Sequence, residues 1–322
     1  MPGLEKCIFL VLSATEFILG MLGNGFIVLV NGSSWFKNKT VSLSDFIITN
    51  LALSRIVLLW ILLVDGVLMV FSSKVHDEGI VMQIIDIFWT FTNHLSIWLA
   101  TCLSVLYCLK IASFSHPTFL WLKWRVSRVV VHMILGALFL SCVSAMSLIQ
   151  EFKIYSVLSG IDGTGNVTGH FRKKRNEYKV IHVLGTLWNL PPLIVSLAAY
   201  FLLILSLGRH MQQLQQSGQL QQSGISSRDP STEAHQKAIK IIISFLFLFL
   251  LYFLAFLITT SSYFIPGTEM VNIIGEVVTM FYPASHSFIL ILGNNKLKQT
   301  FVEMLWCEPG HLKPGFKGPF AP

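Results

Sequence analysis

The sequence predicts an all-α membrane protein: a seven-transmembrane helix bundle with a short amphipathic C-terminal helix. Three observations predict it. Hydrophobic residues make up 53% of the 322-residue chain and DEKR residues only 12%, whereas soluble domains carry about 25% charge. The apolar residues gather into seven runs of membrane length, near 7–30, 43–70, 80–111, 126–149, 180–207, 238–262 and 270–292. Little chain is left between them, so residues 1–308 are expected to form one transmembrane domain, with 309–322 a disordered Gly/Pro-rich tail.

The first run opens at Cys7 after a short head and is too long for the core of a signal peptide, so it is expected to be its own insertion signal. The second carries Arg55 and Asp65. The third, with the stretch that follows it, organises the chain: Asp86, Trp89, Asn93, Ala100 and Ser104 recur at spacings of three, four or seven and share one helix face. It then enters a basic, aromatic loop that ends at Arg125. A polar stripe in lipid must face protein or water; Asn93 and Ser104 serve either as a pocket wall or as hydrogen bonds between helices.

After the fourth run comes a loop, Phe152 to Lys179, which holds six Lys and Arg residues. The fifth run contains Pro191 and Pro192 and the seventh Pro283, each removing a backbone donor and expected to kink its helix. Between the fifth and sixth runs, Gln213 to Gly218 reads Gln-Leu-Gln-Gln-Ser-Gly and Gln219 to Gly224 repeats it. So polar a segment is expected to be disordered or a frayed helical extension. Beyond the seventh run, Leu297, Phe301, Met304 and Leu305 alternate with Lys296, Lys298 and Glu303, the pattern of a helix lying on the membrane surface. Cys307 at its end is a candidate for palmitoylation.

Five cysteines in or beside apolar runs do not make a disulfide framework. The excess of 23 basic over 16 acidic residues reads as topology and not as a nucleic-acid site. With the N-terminus extracellular and the C-terminus cytoplasmic, fourteen Lys and Arg lie on the cytoplasmic side and eight outside. The sequon at Asn166 then faces the lumen and is expected to be glycosylated, while those at Asn31 and Asn38 fall on the wrong side. The plasma membrane is the expected location.

Polar side chains in the runs form two layers. Near the outer ends lie Asp65, Trp89, Asn93, His182, Thr186, Tyr252, Thr259 and Glu276, which can converge on an outward-opening cavity. Deeper lie Asn24, Arg55, Ser285, His286 and Ser287, with Pro283 between the layers. No acid of the runs lies at the depth of Arg55. Its guanidinium is therefore expected to bind backbone carbonyls and Asn24 or the seventh helix. His286 has a plain reading as a satisfied packing histidine.

Function classes can be sorted on the same residues. No lysine lies between Met270 and Leu292 to hold retinal, and no paired acids or metal-ligand spacing suggest an enzyme. No cofactor or metal is expected. A transporter or channel for a small organic molecule is the competing class, although repeated halves with matching broken helices are not found.

The motifs carry a resemblance. Gly23-Asn24-Gly25-Phe26-Ile27, Leu43-Ser44-Asp45-Phe46-Ile47 with Leu51-Ala52-Leu53-Ser54-Arg55, Trp98-Leu99-Ala100-Thr101, Phe119-Leu120-Trp121-Leu122-Lys123-Trp124-Arg125 and Tyr282-Pro283 with His286-Ser287-Phe288-Ile289-Leu290 resemble the type 2 bitter taste receptors. These are G-protein-coupled receptors. Asp-Arg-Tyr at the end of the third run and Asn-Pro-x-x-Tyr in the seventh, marks of rhodopsin-like receptors, do not occur there. The resemblance implies a receptor for bitter small molecules that signals through gustducin-type and inhibitory-type G proteins and catalyses nothing. It also implies ligand contacts at Trp89, Asn93, Tyr252 and Glu276. An inner face of Lys110, Lys123, Arg125, Arg128, Lys237 and Lys240 is the expected docking surface for the G protein. A carboxylate beside aromatic faces suits organic cations, so amphiphilic amines are expected among the agonists; a structural, hydrogen-bonded Glu276 is the alternative.

Overall fold

A chain in lipid has no water to satisfy its peptide groups, so each apolar run must close its own hydrogen bonds as a helix. The computed structural model describes residues 4–38, 41–71, 80–161, 167–216, 230–262 and 269–306. Their regular structure is helical: α1 (Leu4–Asn38), α2 (Leu43–Phe71), α3 (Ile80–Ile111), α4 (Pro117–Trp124), α5 (Val126–Ile161), α6 (Val167–Gln216), α7 (Pro230–Ser262), α8 (Glu269–Gly293) and α9 (Asn295–Trp306). Six stretches are long and apolar enough to cross a membrane: Lys6–Lys37, Leu43–Leu68, Ile80–Ile111, Val126–Gln150, Leu187–Arg209 and Ile239–Ser261. Val277–Gly293, bent by 96° from Asn295–Trp306, brings the spans to seven. The fold class is the one the composition implied.

α3 occupies the middle. It packs against α2, α5 and α6, while α8 packs against α1, α2 and α7, and α6 joins α7 to close the bundle. The core follows from this arrangement, with Ile27, Ile47, Leu51, Leu106, Leu203 and Ile291 fully or almost fully buried. Leu22, Trp60, Phe139, Ile194, Phe201 and Phe247 are exposed, as lipid-facing side chains should be. Gly23 allows α1 to approach α8, because a Cβ there would collide with the Ser287 hydroxyl.

The helices outrun the apolar pattern. Phe152 to Lys179 was expected as a loop, yet α5 continues to Ile161 and α6 begins at Val167. Hydropathy marks where lipid ends, whereas the helical ladder needs only backbone groups, and Lys, Arg and Glu are good helix formers in water. For the same reason the first residues of the Gln-rich duplication, Gln213–Gln216, end α6. Asn166, Gln219–Gly224, Cys307 and the tail from Pro309 lie outside the described residues.

The loop after α3 also contains a helix. Pro117 starts α4, where a missing N–H costs nothing, and His116 caps it by accepting the Thr118 N–H at 3.3 Å. At the far end of the chain, Asn294 Oδ1 accepts from the Lys296 and Leu297 N–H groups at 3.0 and 3.3 Å, which starts α9 at the bend. Leu297 is buried and Phe301 sits edge-on against Phe26 at 5.5 Å. Met304, Leu305 and Trp306 are left exposed.

Candidate functional site

The first layer is aromatic. Tyr252 on α7 donates its hydroxyl to Asn93 Oδ1 on α3 at 2.9 Å, and both side chains are buried. The Tyr252 ring stacks with Phe256 at 6.4 Å, Phe256 stacks with Trp89 at 6.1 Å, and Tyr282 lies 4.9 Å from Tyr252 on the other helix, α8. A strip of ring faces thus runs from α3 across α7 to α8. Thr259 is buried one turn further along α7, where α8 passes so close that a Cβ on Gly275 would collide with it. Asp65 on α2 is half-buried. Glu276, His182 and Thr186 lie on the helical backbone of α8 and α6, but their side chains fall outside the described residues.

The second layer is a polar lock. Arg55 has no solvent exposure; its Nη1 lies 2.7 Å from His286 Nδ1 on α8, and its Nε donates to Ser96 Oγ on α3 at 3.4 Å. Its guanidinium carbon sits 5.1 Å from the centre of the Tyr282 ring, a cation–π contact. An arginine only donates, so the histidine nitrogen facing it must present a lone pair. The seventh-span partner is as expected, while among the described residues neither a backbone carbonyl nor Asn24 bonds to the guanidinium. Asn24 donates instead to the Gly20 and Pro283 carbonyls at 2.8 and 3.3 Å, and so joins α1 to α8 directly. Ser287 donates to Ala284 O at 2.6 Å and is fully buried.

Beyond this lock, towards Lys110, Ser104, Tyr107, Tyr200, Phe245 and His286 line a cavity of about 140 Å³. Lys110, Arg125, Arg128 and Lys240 are exposed around that end. Lys123 is not free in the same way, since its Nζ donates to the Ala112 carbonyl at 2.8 Å and holds α4 against the end of α3. Arg125 lies 4.9 Å over the Trp121 ring. The Lys237 side chain falls outside the described residues. Asn31 is buried, donating to Thr49 Oγ1 and accepting from Lys296 Nζ, each at 3.1 Å; Lys296 also pairs with Asp45 at 3.4 Å. These contacts join the ends of α1, α2 and α9.

A buried cation held by an imidazole thus lies between a layer of ring faces and a group of exposed basic residues. The family of taste receptor proteins (TAS2R) matches residues 1–309. The chain belongs to this taste receptor family. Taste receptor type 2 member 3 of Homo sapiens is 71% identical over 319 residues, 99% of this chain and 99% of its own length. The Papio hamadryas protein of the same name is 71% identical over 317 residues, covering 98% and 99%, and that of Mus musculus 63% over 321 residues, covering all of both. The receptor is thus a multi-pass, G-protein-coupled protein of the bitter taste class and not an enzyme.

Two residues of the receptor's interior escape a pattern search. His94, beside Asn93, touches Ser141, Trp188 and Trp98 at 3.0, 3.1 and 3.2 Å. Tyr282 contacts both layers, lying against Tyr252 and under Arg55. The first carried a faint signal, a histidine inside an apolar run beside Asn93; the second carried none beyond its place in the Tyr282-Pro283 motif.

Proposed function

We propose that the receptor sits in the plasma membrane with its N-terminus outside and responds to amphiphilic amines among other bitter small molecules. The observation that carries this reading is the aromatic strip Trp89, Phe256 and Tyr252, which ends on the polar Asn93. Its ring faces offer grip for a hydrophobic body, and each can add about 0.5–2 kcal/mol of attraction for a cation. Glu276 supplies the counter-charge, and Asp65, His182 and Thr186 complete the wall. The lock of Asn24, Arg55, Pro283, His286 and Ser287 holds the helices whose relative movement transmits binding. At the other end Lys110, Arg125, Arg128, Lys237 and Lys240 meet a gustducin-like G protein, with Lys123 bracing the loop that presents them.

Reconstitution of the purified receptor with a gustducin-type G protein tests the reading. Nucleotide exchange is expected to rise with a quaternary amphiphilic amine only when the receptor is present; exchange independent of the amine would favour a passive transporter or channel. Orientation has its own assay. Endoglycosidase is expected to shift the mobility of the wild-type receptor and not that of Asn166→Gln, whereas a shift abolished by Asn38→Gln would invert the topology.

A further inference from the structure

A helical carbonyl takes its hydrogen bond from the N–H four residues later, and proline has none. Pro192 therefore leaves the Trp188 carbonyl without its ladder partner, inside the stretch Leu187–Arg209 that crosses the membrane. Another helix fills the gap: His94 Nε2, from α3, lies 3.1 Å from Trp188 O. The His94 ring is 3% exposed, and its other nitrogen lies 3.0 Å from Ser141 Oγ on α5. One imidazole thus joins three spans.

The same Nε2 has a second claimant. Trp98 Nε1–H, one turn along α3, points to it at 3.2 Å. An indole N–H only donates and a carbonyl only accepts, so a single ring nitrogen cannot serve both at once. With its proton on Nε2, His94 donates to Trp188 O and Nδ1 accepts from the Ser141 hydroxyl. With the proton on Nδ1, His94 donates to Ser141, Ser141 donates to Ala137 O at 2.7 Å, and Nε2 accepts from Trp98. Each arrangement gives both ring nitrogens a partner. They differ in whether α3 holds the carbonyl that Pro192 exposes on α6.

We propose that His94 is a positioning residue of the receptor, a latch that supplies the hydrogen bond Pro192 removes from α6 and that Trp98 competes to open. Its neighbour Asn93 holds Tyr252, so the latch lies one residue from the aromatic strip. It fixes the spacing of α3 and α6 beside that strip whatever the part played by Glu276.

The test uses the purified full-length receptor and needs no agonist. Trp188-Asn189 is the single Trp-Asn pair of the chain, so carbonyl-¹³C tryptophan with ¹⁵N asparagine isolates the Trp188 carbonyl by NMR. His94→Phe is expected to move that resonance upfield, as for a lost hydrogen bond, and to lower Tm by about 2–4 °C. Trp98→Phe, which removes the competitor, is expected to move it downfield. Pro192→Ala returns an N–H to the ladder and is expected to restore Tm in the His94→Phe background. His94→Gln keeps a donor and is expected to hold the wild-type resonance, which preserves the test should the Phe variant not fold. A Trp188 resonance unmoved by both His94→Phe and Trp98→Phe overturns the proposal, as does a double variant no more stable than His94→Phe alone.

Discussion

The two polar layers share helices yet solve different problems. Around Arg55, a charge with no solvent exposure is met by an imidazole, a hydroxyl and a ring face from α3 and α8. Around Trp89, ring faces stack at 6.1 and 6.4 Å, and Tyr252 reaches Asn93 through one hydrogen bond. A buried charge is so costly to leave unpaired that its surroundings must be fully specified. Aromatic faces carry no such obligation, and can exchange one apolar neighbour for another. The lock is thus the layer that must be fixed, and the strip is the layer whose contacts can be exchanged.

Breaking the lock should do the most damage. Arg55→Lys keeps the charge but loses the planar fork that reaches Ser96 and His286 together. Surface level or maximal response is expected to fall by about tenfold or more, equivalent to about 1.4 kcal/mol, in a surface-label and calcium-flux assay. A normal response at normal surface level would show that the lock is not needed.

In the strip, substitutions should act on selected ligands instead. Glu276→Gln is expected to weaken the potency of permanently charged amine agonists by about tenfold, corresponding to about 1.4 kcal/mol, and to spare uncharged ones. An unchanged dose response to the charged agonist removes Glu276 as its counter-ion. Tyr252→Phe deletes the bond to Asn93 while keeping the stack; potency is expected to fall about fivefold, matching a hydrogen bond of about 1 kcal/mol. Equal loss of surface expression and potency would move Tyr252 from the strip to the lock.

The smallest effect belongs to the basic rim, which the comparison leaves outside both layers. Lys240→Ala removes one exposed charge and is expected to halve maximal nucleotide exchange roughly, in line with about 0.2–1 kcal/mol for an exposed ion pair, without altering agonist binding. Equal losses in binding and exchange would mark a folding defect.

Sequence periodicity made the layers legible because helical rise turns residue number into depth and 3.6-residue repeats turn it into a face. Arg55 was identifiable as a buried cation in need of donors' counterparts, and Trp89, Asn93 and Tyr252 as neighbours in depth. What periodicity cannot give is azimuth relative to other helices. Asn24 and His286 lie in the same layer as Arg55, and only packing shows that α8 presents His286 to the guanidinium while Asn24 reaches past it to Pro283.

The sequence by itself determined a seven-span helical bundle and the depth of each polar group, since these follow from hydropathy and helical geometry along one strand of chain. Tertiary structure alone decided the partnerships: His286 for Arg55, Asn93 for Tyr252, Ala112 for Lys123 and Trp188 for His94. In lipid the apolar effect does not distinguish one helix face from another, so the choice of neighbour falls to close packing and to the few directional polar groups, which only the assembled bundle brings within reach.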